Sequence, residues 1–318
     1  MNSPIEELNR EKTNVARISV LSNLMLVILK LGVGTTIGSV SVISEAIHSG
    51  IDLIAAVIAY FSVRSSSKPP DQDHKFGHGK MENISGTIEA ILIFIAAGMI
   101  ILEAYDKFGR ISRGEVIQDV SLGIVIMLIS TAVNFFVSRK LMQAAKRTES
   151  IALEADALHL RTDVLTSFGI FAGLVAIKLT GFAILDPIFA ILVALFILKA
   201  ALDLTIKSAR DLMDVHLPPE EERDIENIIK DHSQQFVGFH ELRTRRSGSD
   251  RFIDLHLVVS RELSIEQAHN LADHIENDIK GRFPRCSVII HVEPCDNGDH
   301  CDICMARECS KSHVQPEE

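Results

Sequence analysis

Glu45-Ala46-Ile47-His48-Ser49-Gly50-Ile51-Asp52 and Asp156-Ala157-Leu158-His159-Leu160-Arg161-Thr162-Asp163 are two copies of one pattern, acid-Ala-aliphatic-His-x-x-x-Asp, each set in a long apolar stretch. Residues four apart share a helix face, so each copy aims an imidazole and a carboxylate the same way. Two such helices side by side present two nitrogens and two oxygens, a complete tetrahedral set for Zn²⁺. Sites for Mg²⁺ or Ca²⁺ would be built from oxygen alone. A single copy would read equally well as a polar bridge between packed helices. Two matched copies favour a metal site, because ionisable groups at membrane depth are costly and by default functional.

Outward from the two copies, six segments are long enough to cross a bilayer as helices of about 20 residues. They lie near 15–37, 40–63, 84–104, 117–138, 151–177 and 184–204, with the motif on the second and the fifth. The 64–82 loop carries Arg64, Lys68, Lys75 and Lys80, and the 139–150 loop carries Arg139, Lys140, Lys146 and Arg147. The opposite loops are poorer in Lys and Arg, with Lys107, Arg110 and Arg113 in one and Lys178 in another. This bias puts both termini in the cytoplasm. Lys30 and Lys199 fall inside predicted spans, where snorkelling towards a helix end is the simplest account. The first residues lack the basic start and apolar core of a cleavable signal peptide.

Of the 318 residues, 47% are hydrophobic, and the mean hydropathy is +0.22. Residues 1–204 hold nearly all the long apolar runs, with 18 Lys/Arg against 19 Asp/Glu, whereas residues 205–318 carry 14 against 23. We therefore expect an N-terminal segment at 1–14, a six-helix transmembrane bundle at 15–204, a small acidic cytoplasmic domain at 205–294 and a polar tail at 295–318. An acidic excess argues against nucleic acid as a partner and suits contact with metal cations.

The cytoplasmic part reads as αββαβ, a two-layer α+β domain of ferredoxin-like, metallochaperone type. Residues 218–232 open with Pro and acids, as helices do. Ile253, Leu255, Leu257 and Val259 alternate with Asp254 and His256 as in a half-buried strand. Ser264 and Gln267 form a capping box ahead of a helix whose apolar stripe is Ala268, Leu271, Ala272, Ile275 and Ile279. His291 and Glu293, two apart on the last strand, share a face. All five cysteines come late: Cys286, Cys295, Cys301, Cys304 and Cys309. The Cys301-x-x-Cys304 spacing, with Cys295 and Cys309 on either side, fits metal chelation and equally an unstructured tail with exposed thiols.

The chain resembles the cation diffusion facilitators over residues 10–295. The resemblance rests on the doubled motif, on Ser-Val-Ser-Val at 39–42, on Asp-His-Lys-Phe-Gly-His-Gly-Lys at 73–80, on Asp186-Pro187 and on Leu242-Arg243-Thr244-Arg245. It implies that His48, Asp52, His159 and Asp163 form the transport site, and that a His at the first position goes with zinc preference. It implies a weaker loop site at Asp71, His74 and His78, which from the residues alone reads as a solvated charged loop. It implies a cytoplasmic zinc site from His240, His256, His269, His291 and Glu293, with Glu293 where the family example has Asp. It also implies a homodimer and an ion pair between Lys80 and Asp214 joining the two domains.

The expected activity is export of Zn²⁺ in exchange for protons across the cytoplasmic membrane, with the soluble domain sensing zinc. Two uncompensated carboxylates at membrane depth are relieved by protons, and metal binding expels them. A channel or passive carrier would use the same ligands, but a tight four-ligand site releases ions slowly. A metallo-enzyme would need an open coordination position and a general base, and no His-Glu-x-x-His occurs. Glu45, Glu89 and Asp156 receive no role, although Glu89 is a candidate to face the pathway or to pack against Asn134.

Overall fold

The computed structural model describes residues 4–37, 40–112, 121–182 and 184–295. The chain divides into two compact units, Met1–Leu212 and Met213–Glu318.

The first unit consists of α1 (Pro4–Ile37), α2 (Val40–Ser66), α3 (Lys80–Ser112), α4 (Ser121–Thr148), α5 (Ile151–Thr180) and α6 (Leu185–Leu212). The most extensive packing is of α3 on α6, α1 on α2 and α4 on α5, with α5 also lying against α6 and α3. Among the described residues, four stretches are long and apolar enough to cross a membrane: Ile5–Thr36, Ala46–Ser66, Lys80–Gly109 and Pro187–Leu212.

The distribution of side chains is inverted relative to a water-soluble bundle. Small residues such as Ala55, Ala56, Ala59, Ala90, Ala97, Ala155 and Ala201 are buried, as are the polar Ser19, Asn23, Asp52, Glu89 and Asn134. Large apolar residues face outward, among them Ile28, Ile54, Phe61, Met99, Leu102, Leu192 and Phe196. In water so much exposed apolar surface would drive association. In lipid it is the stable arrangement, because tails solvate the large residues while small ones let helices approach closely. The chain is thus a multi-pass membrane protein in its first unit.

A buried ionic junction ties together the helix ends nearest the loop between α2 and α3. Lys12 and Glu82 are both fully buried, and Lys12 Nζ lies 2.6 Å from Glu82 Oε1. Ser66 Oγ donates to the same carboxylate oxygen at 2.6 Å, and Ser150 Oγ donates to Glu82 Oε2. Four helices meet at this point: α1 through Lys12, α2 through Ser66, α3 through Glu82 and α5 through Ser150, the residue just before it.

The second unit comprises α7 (Pro219–Asp231), β1 (Gly238–Ser247), β2 (Asp250–Val259), α8 (Ile265–Arg282) and β3 (Cys286–Pro294), in the expected αββαβ order. The sheet order is β1-β2-β3, with β1 antiparallel to β2 and β3 parallel to β2. The parallel pair needs a crossover, and α8 supplies it. Ser264 and Gln267 make the reciprocal capping box at the start of α8. Ile253, Leu255, Leu257 and Val259 pack with Leu271, Ile275 and Ile279 of α8 and Ile225 and Ile229 of α7 in one core. The alternation therefore sends His256 to the sheet face away from that core.

Candidate metal centre

Within the bundle, His48, Asp52 and Asp163 bring ligand atoms within 4.8 Å of one another. His159 joins them through Asp52, with Nε2 at 3.0 Å from Oδ1. The helical spacing of four carries His48 and Asp52 on one face of α2, and His159 and Asp163 on the facing side of α5. Asp52 and His159 are only 4% and 6% exposed, so the pair is held away from bulk solvent at the bundle centre. The other imidazole nitrogen, His159 Nδ1, is buried with no hydrogen-bond partner.

A cavity of about 90 Å³ opens on this cluster, with His48, Asp52 and Asp163 in its wall. A single water needs roughly 10–15 Å³ by the same kind of measure, so an ion with several waters fits. The rest of the wall comes from Lys30, Ser49, Ser130, Thr131, Asn134, Thr166 and Ser167. These lie late on α1, early on α2 and α4 and past the middle of α5. The cavity therefore runs from the ligand level towards the α1–α2 turn, away from the buried Lys12–Glu82 junction.

Three surrounding groups differ from what the sequence suggests. Asn134 of α4 donates to Asp163 Oδ2 at 3.2 Å, so it supports a ligand and is not the partner of Glu89. Lys30 does not snorkel: it is 5% exposed, and its Nζ donates to Ser49 Oγ at 2.8 Å. Lys199, by contrast, is exposed. Glu89 and Asp156 are fully buried, and Oε2 of the first and Oδ2 of the second have no hydrogen-bond partner. A polar residue inside an apolar span was the available signal for Asn134. Nothing in the sequence indicated which neighbour it serves.

The loop between α2 and α3 brings Asp71, His74 and His78 together, with ligand atoms within 4.8 Å. Asp71 Oδ1 is 3.3 Å from His74 Nδ1, Asp71 Oδ2 is 3.2 Å from His78 Nε2, and the two rings are 4.5 Å apart. The turn depends on Gly77, whose φ of +79° is in the left-handed region. The backbone amide of His74, helped by that of Asp73, donates to Asp71 and holds its carboxyl below the usual range.

On the open face of the sheet, His240 pairs with His256 in register and His256 with His291, so three imidazoles line up across three strands. Ring centroids are 5.2 Å apart for His240 and His256 and 4.9 Å for His256 and His291. Glu293 ties the row together: Oε2 lies 3.1 Å from His240 Nε2 and Oε1 lies 2.8 Å from His256 Nδ1. His291 Nε2 is 3.6 Å from Glu293 Oε1. His240, His256 and Glu293 hold ligand atoms within 4.8 Å. Desolvation raises the Glu293 carboxyl, but hydrogen bonds from His256 and His240 outweigh it and leave the group below its ordinary value.

A β-bulge follows His240, where the register shifts before Arg243, and Glu241 takes a left-handed φ of 49°. Such a bulge re-aims neighbouring side chains at a site. His269 is not part of this row. It sits exposed on α8, 3.4 Å from Asp273, and α8 covers the opposite face of the sheet.

Lys80 Nζ lies 3.5 Å from the Leu212 carbonyl oxygen in the first unit, and Asp214 Oδ1 lies 3.3 Å from Arg245 Nη1 in the second. The expected Lys80–Asp214 pair runs between the units and stays an expectation. Cys295 is a free, half-buried thiol, whereas Cys301, Cys304 and Cys309 lie outside the described residues.

Two domain families match the chain. One, described as cation efflux transmembrane domain, covers residues 16–213, and the other, cation efflux protein cytoplasmic domain, covers residues 217–295. An uncharacterized transporter of Synechocystis, sll1263, is 35% identical over 282 residues, 89% of this chain and 90% of that one. The cation-efflux pump FieF of Yersinia pestis is 34% identical over 271 residues, 85% of this chain and 89% of the pump. A solved structure of CzrB in its zinc form is 38% identical with a TM-score of 0.24, covering 25% of this chain and 90% of that one.

Proposed function

The chain belongs to the cation efflux family, and from that premise we propose that it exports Zn²⁺ from the cytoplasm in exchange for protons. The observation that carries this reading is the gathering of His48, Asp52 and Asp163 within 4.8 Å, with His159 bonded to Asp52, on two apolar helices. Two imidazoles and two carboxylates suit Zn²⁺ better than a hard cation. Zn²⁺ binds neutral imidazole and ionised carboxylate, so ion and protons compete for the same groups. Alternate exposure of the site to the two sides turns this competition into exchange.

With both termini in the cytoplasm of the inner membrane, the cavity on the α1–α2 side faces outward. The state described here is then the one that releases zinc and takes up protons. The loop set Asp71, His74 and His78 lies on the cytoplasmic side, where it would hold zinc weakly on its way in. The row His240, His256, His291 and Glu293 is a regulatory zinc site that closes a homodimer as cytoplasmic zinc rises.

In vesicles loaded with a zinc dye and given a pH gradient, inward flux should follow the gradient. Flux indifferent to the gradient would exclude antiport. Selectivity gives a separate check. His48→Asp swaps a borderline nitrogen for a hard oxygen, so the preference for Zn²⁺ over Cd²⁺, Fe²⁺, Co²⁺ and Ni²⁺ should weaken in competition flux. An unchanged order would remove the zinc argument.

A further inference from the structure

We propose that Lys30 is a fixed counter-cation of the transport site, one that keeps zinc affinity low enough for release. This rests on the assignment of His48, Asp52, His159 and Asp163 as zinc ligands. Neighbouring residues on α1 face outward, Ile28 at 63% exposure and Met25 at 55%. Lys30 instead turns inward, at 5% exposure. Its ammonium is pinned at 2.8 Å to the hydroxyl of Ser49, the residue after His48. It shares one cavity wall with His48, Asp52 and Asp163.

A lysine is an unexpected neighbour for a cation site, because it repels the cargo. Its effect follows from the charges. With neutral imidazoles, the two aspartates and Lys30 leave the empty site one negative charge, and bound Zn²⁺ takes it to one positive charge. Without Lys30 the same two states would carry two negative charges and none. The ammonium thus lowers the cost of the empty state and raises that of the occupied one. At several ångströms in a medium of intermediate dielectric, one charge changes a binding constant by about ten-fold or more. A transporter gains from this, since zinc held by four ligands would otherwise leave slowly. Arg161, between His159 and Asp163 on α5, is exposed, so the counter-charge role falls to Lys30 of α1 among the described cavity residues.

The test uses purified full-length protein with Zn²⁺ alone as probe, and the same variants in vesicles. Lys30→Met should bind zinc about ten-fold more tightly, and in flux it should show a lower KM together with a lower turnover. Lys30→Gln keeps a donor to Ser49 without the charge and should behave as Lys30→Met does. Lys30→Arg keeps the charge and should stay close to wild type. A purely structural lysine would give the opposite pattern, with weaker binding in the Met and Gln variants. That result, unchanged affinity in both, or an Arg variant that behaves like Met, overturns the proposal. Wild-type protein that neither binds nor moves zinc overturns the transport reading beneath it, whereas wild-type transport with unaltered Met and Gln variants overturns the role of Lys30 alone.

Discussion

Asp52→Asn should abolish zinc flux while leaving the bundle folded. Asp52 is the residue through which the two helices meet at the site. It contributes to the His48–Asp52–Asp163 group and holds His159 Nε2 at 3.0 Å. An amide has nearly the same volume as a carboxylate but offers zinc no negative charge. Loss of a group that merely orients a ligand already costs roughly 10–100-fold in metal affinity, so loss of a ligand should exceed about a hundred-fold. Stability should respond in the other direction or scarcely at all. The substitution removes a buried charge, and the Asn oxygen still accepts from His159. Flux into vesicles, zinc titration and a melting curve without metal separate the two effects. Asp156→Asn is the contrasting variant. It alters an equally buried carboxylate one turn from His159 on α5, outside the ligand group, so it should weaken zinc binding through charge alone, by far less than loss of a ligand, and leave flux in place. Normal flux by Asp52→Asn would remove the site assignment altogether.

The parts of this protein legible in the sequence are those set by periodicity. A spacing of four on a helix aims His48 with Asp52 and His159 with Asp163, and the packing of α2 near α5 needs no further information once the two patterns match. The alternation from Ile253 to Val259 and the Ser264–Gln267 box locate β2 and α8 for the same reason. What stayed hidden depends on which way a long or unpaired side chain turns. Lys30 in an apolar run is compatible with a helix-end position, and only the packing of α1 on α2 brings it to Ser49. Asn134 could serve any neighbour of α4. The loop set at Asp71, His74 and His78 needs the turn at Gly77 before its spacing means anything. The bulge at Glu241 has no pattern to announce it, since its left-handed φ falls on a residue with no special preference for that region. His269 enters the cytoplasmic set only through the family resemblance, and in this chain it lies exposed on α8 beside Asp273, across the sheet from the strand histidines.

The Lys12–Glu82 junction was equally hidden, because Lys12 sits in a polar stretch that reads as solvated. Removing one of its partners should give the largest stability loss in the molecule. Both side chains are fully buried, and their contact at 2.6 Å is reinforced by Ser66 and Ser150. Glu82→Ala leaves the Lys12 ammonium buried without its counter-charge, and Lys12→Ala does the same to the carboxylate. Breaking a buried pair from one side costs about 3–5 kcal/mol, because the remaining charge is stranded away from water. Replacing the pair as a unit removes both desolvation costs along with the attraction. Lys12→Met with Glu82→Leu should therefore be far more stable than the two single losses added together. Of the serines left behind, Ser66 Oγ can turn its proton to the Val63 carbonyl at 2.9 Å, whereas Ser150 Oγ keeps the Leu153 amide as a donor at 3.4 Å but loses its acceptor. Melting of the four proteins in detergent closes the cycle. Single variants that melt with the wild type would show that the junction is solvated and weak. A double variant as unstable as the sum would show that each charge acts independently of the other. If the singles fall and the double recovers, the ends of α1, α2, α3 and α5 are held by a matched pair. The closure of that end opposite the cavity then depends on a contact that any opening movement there must break.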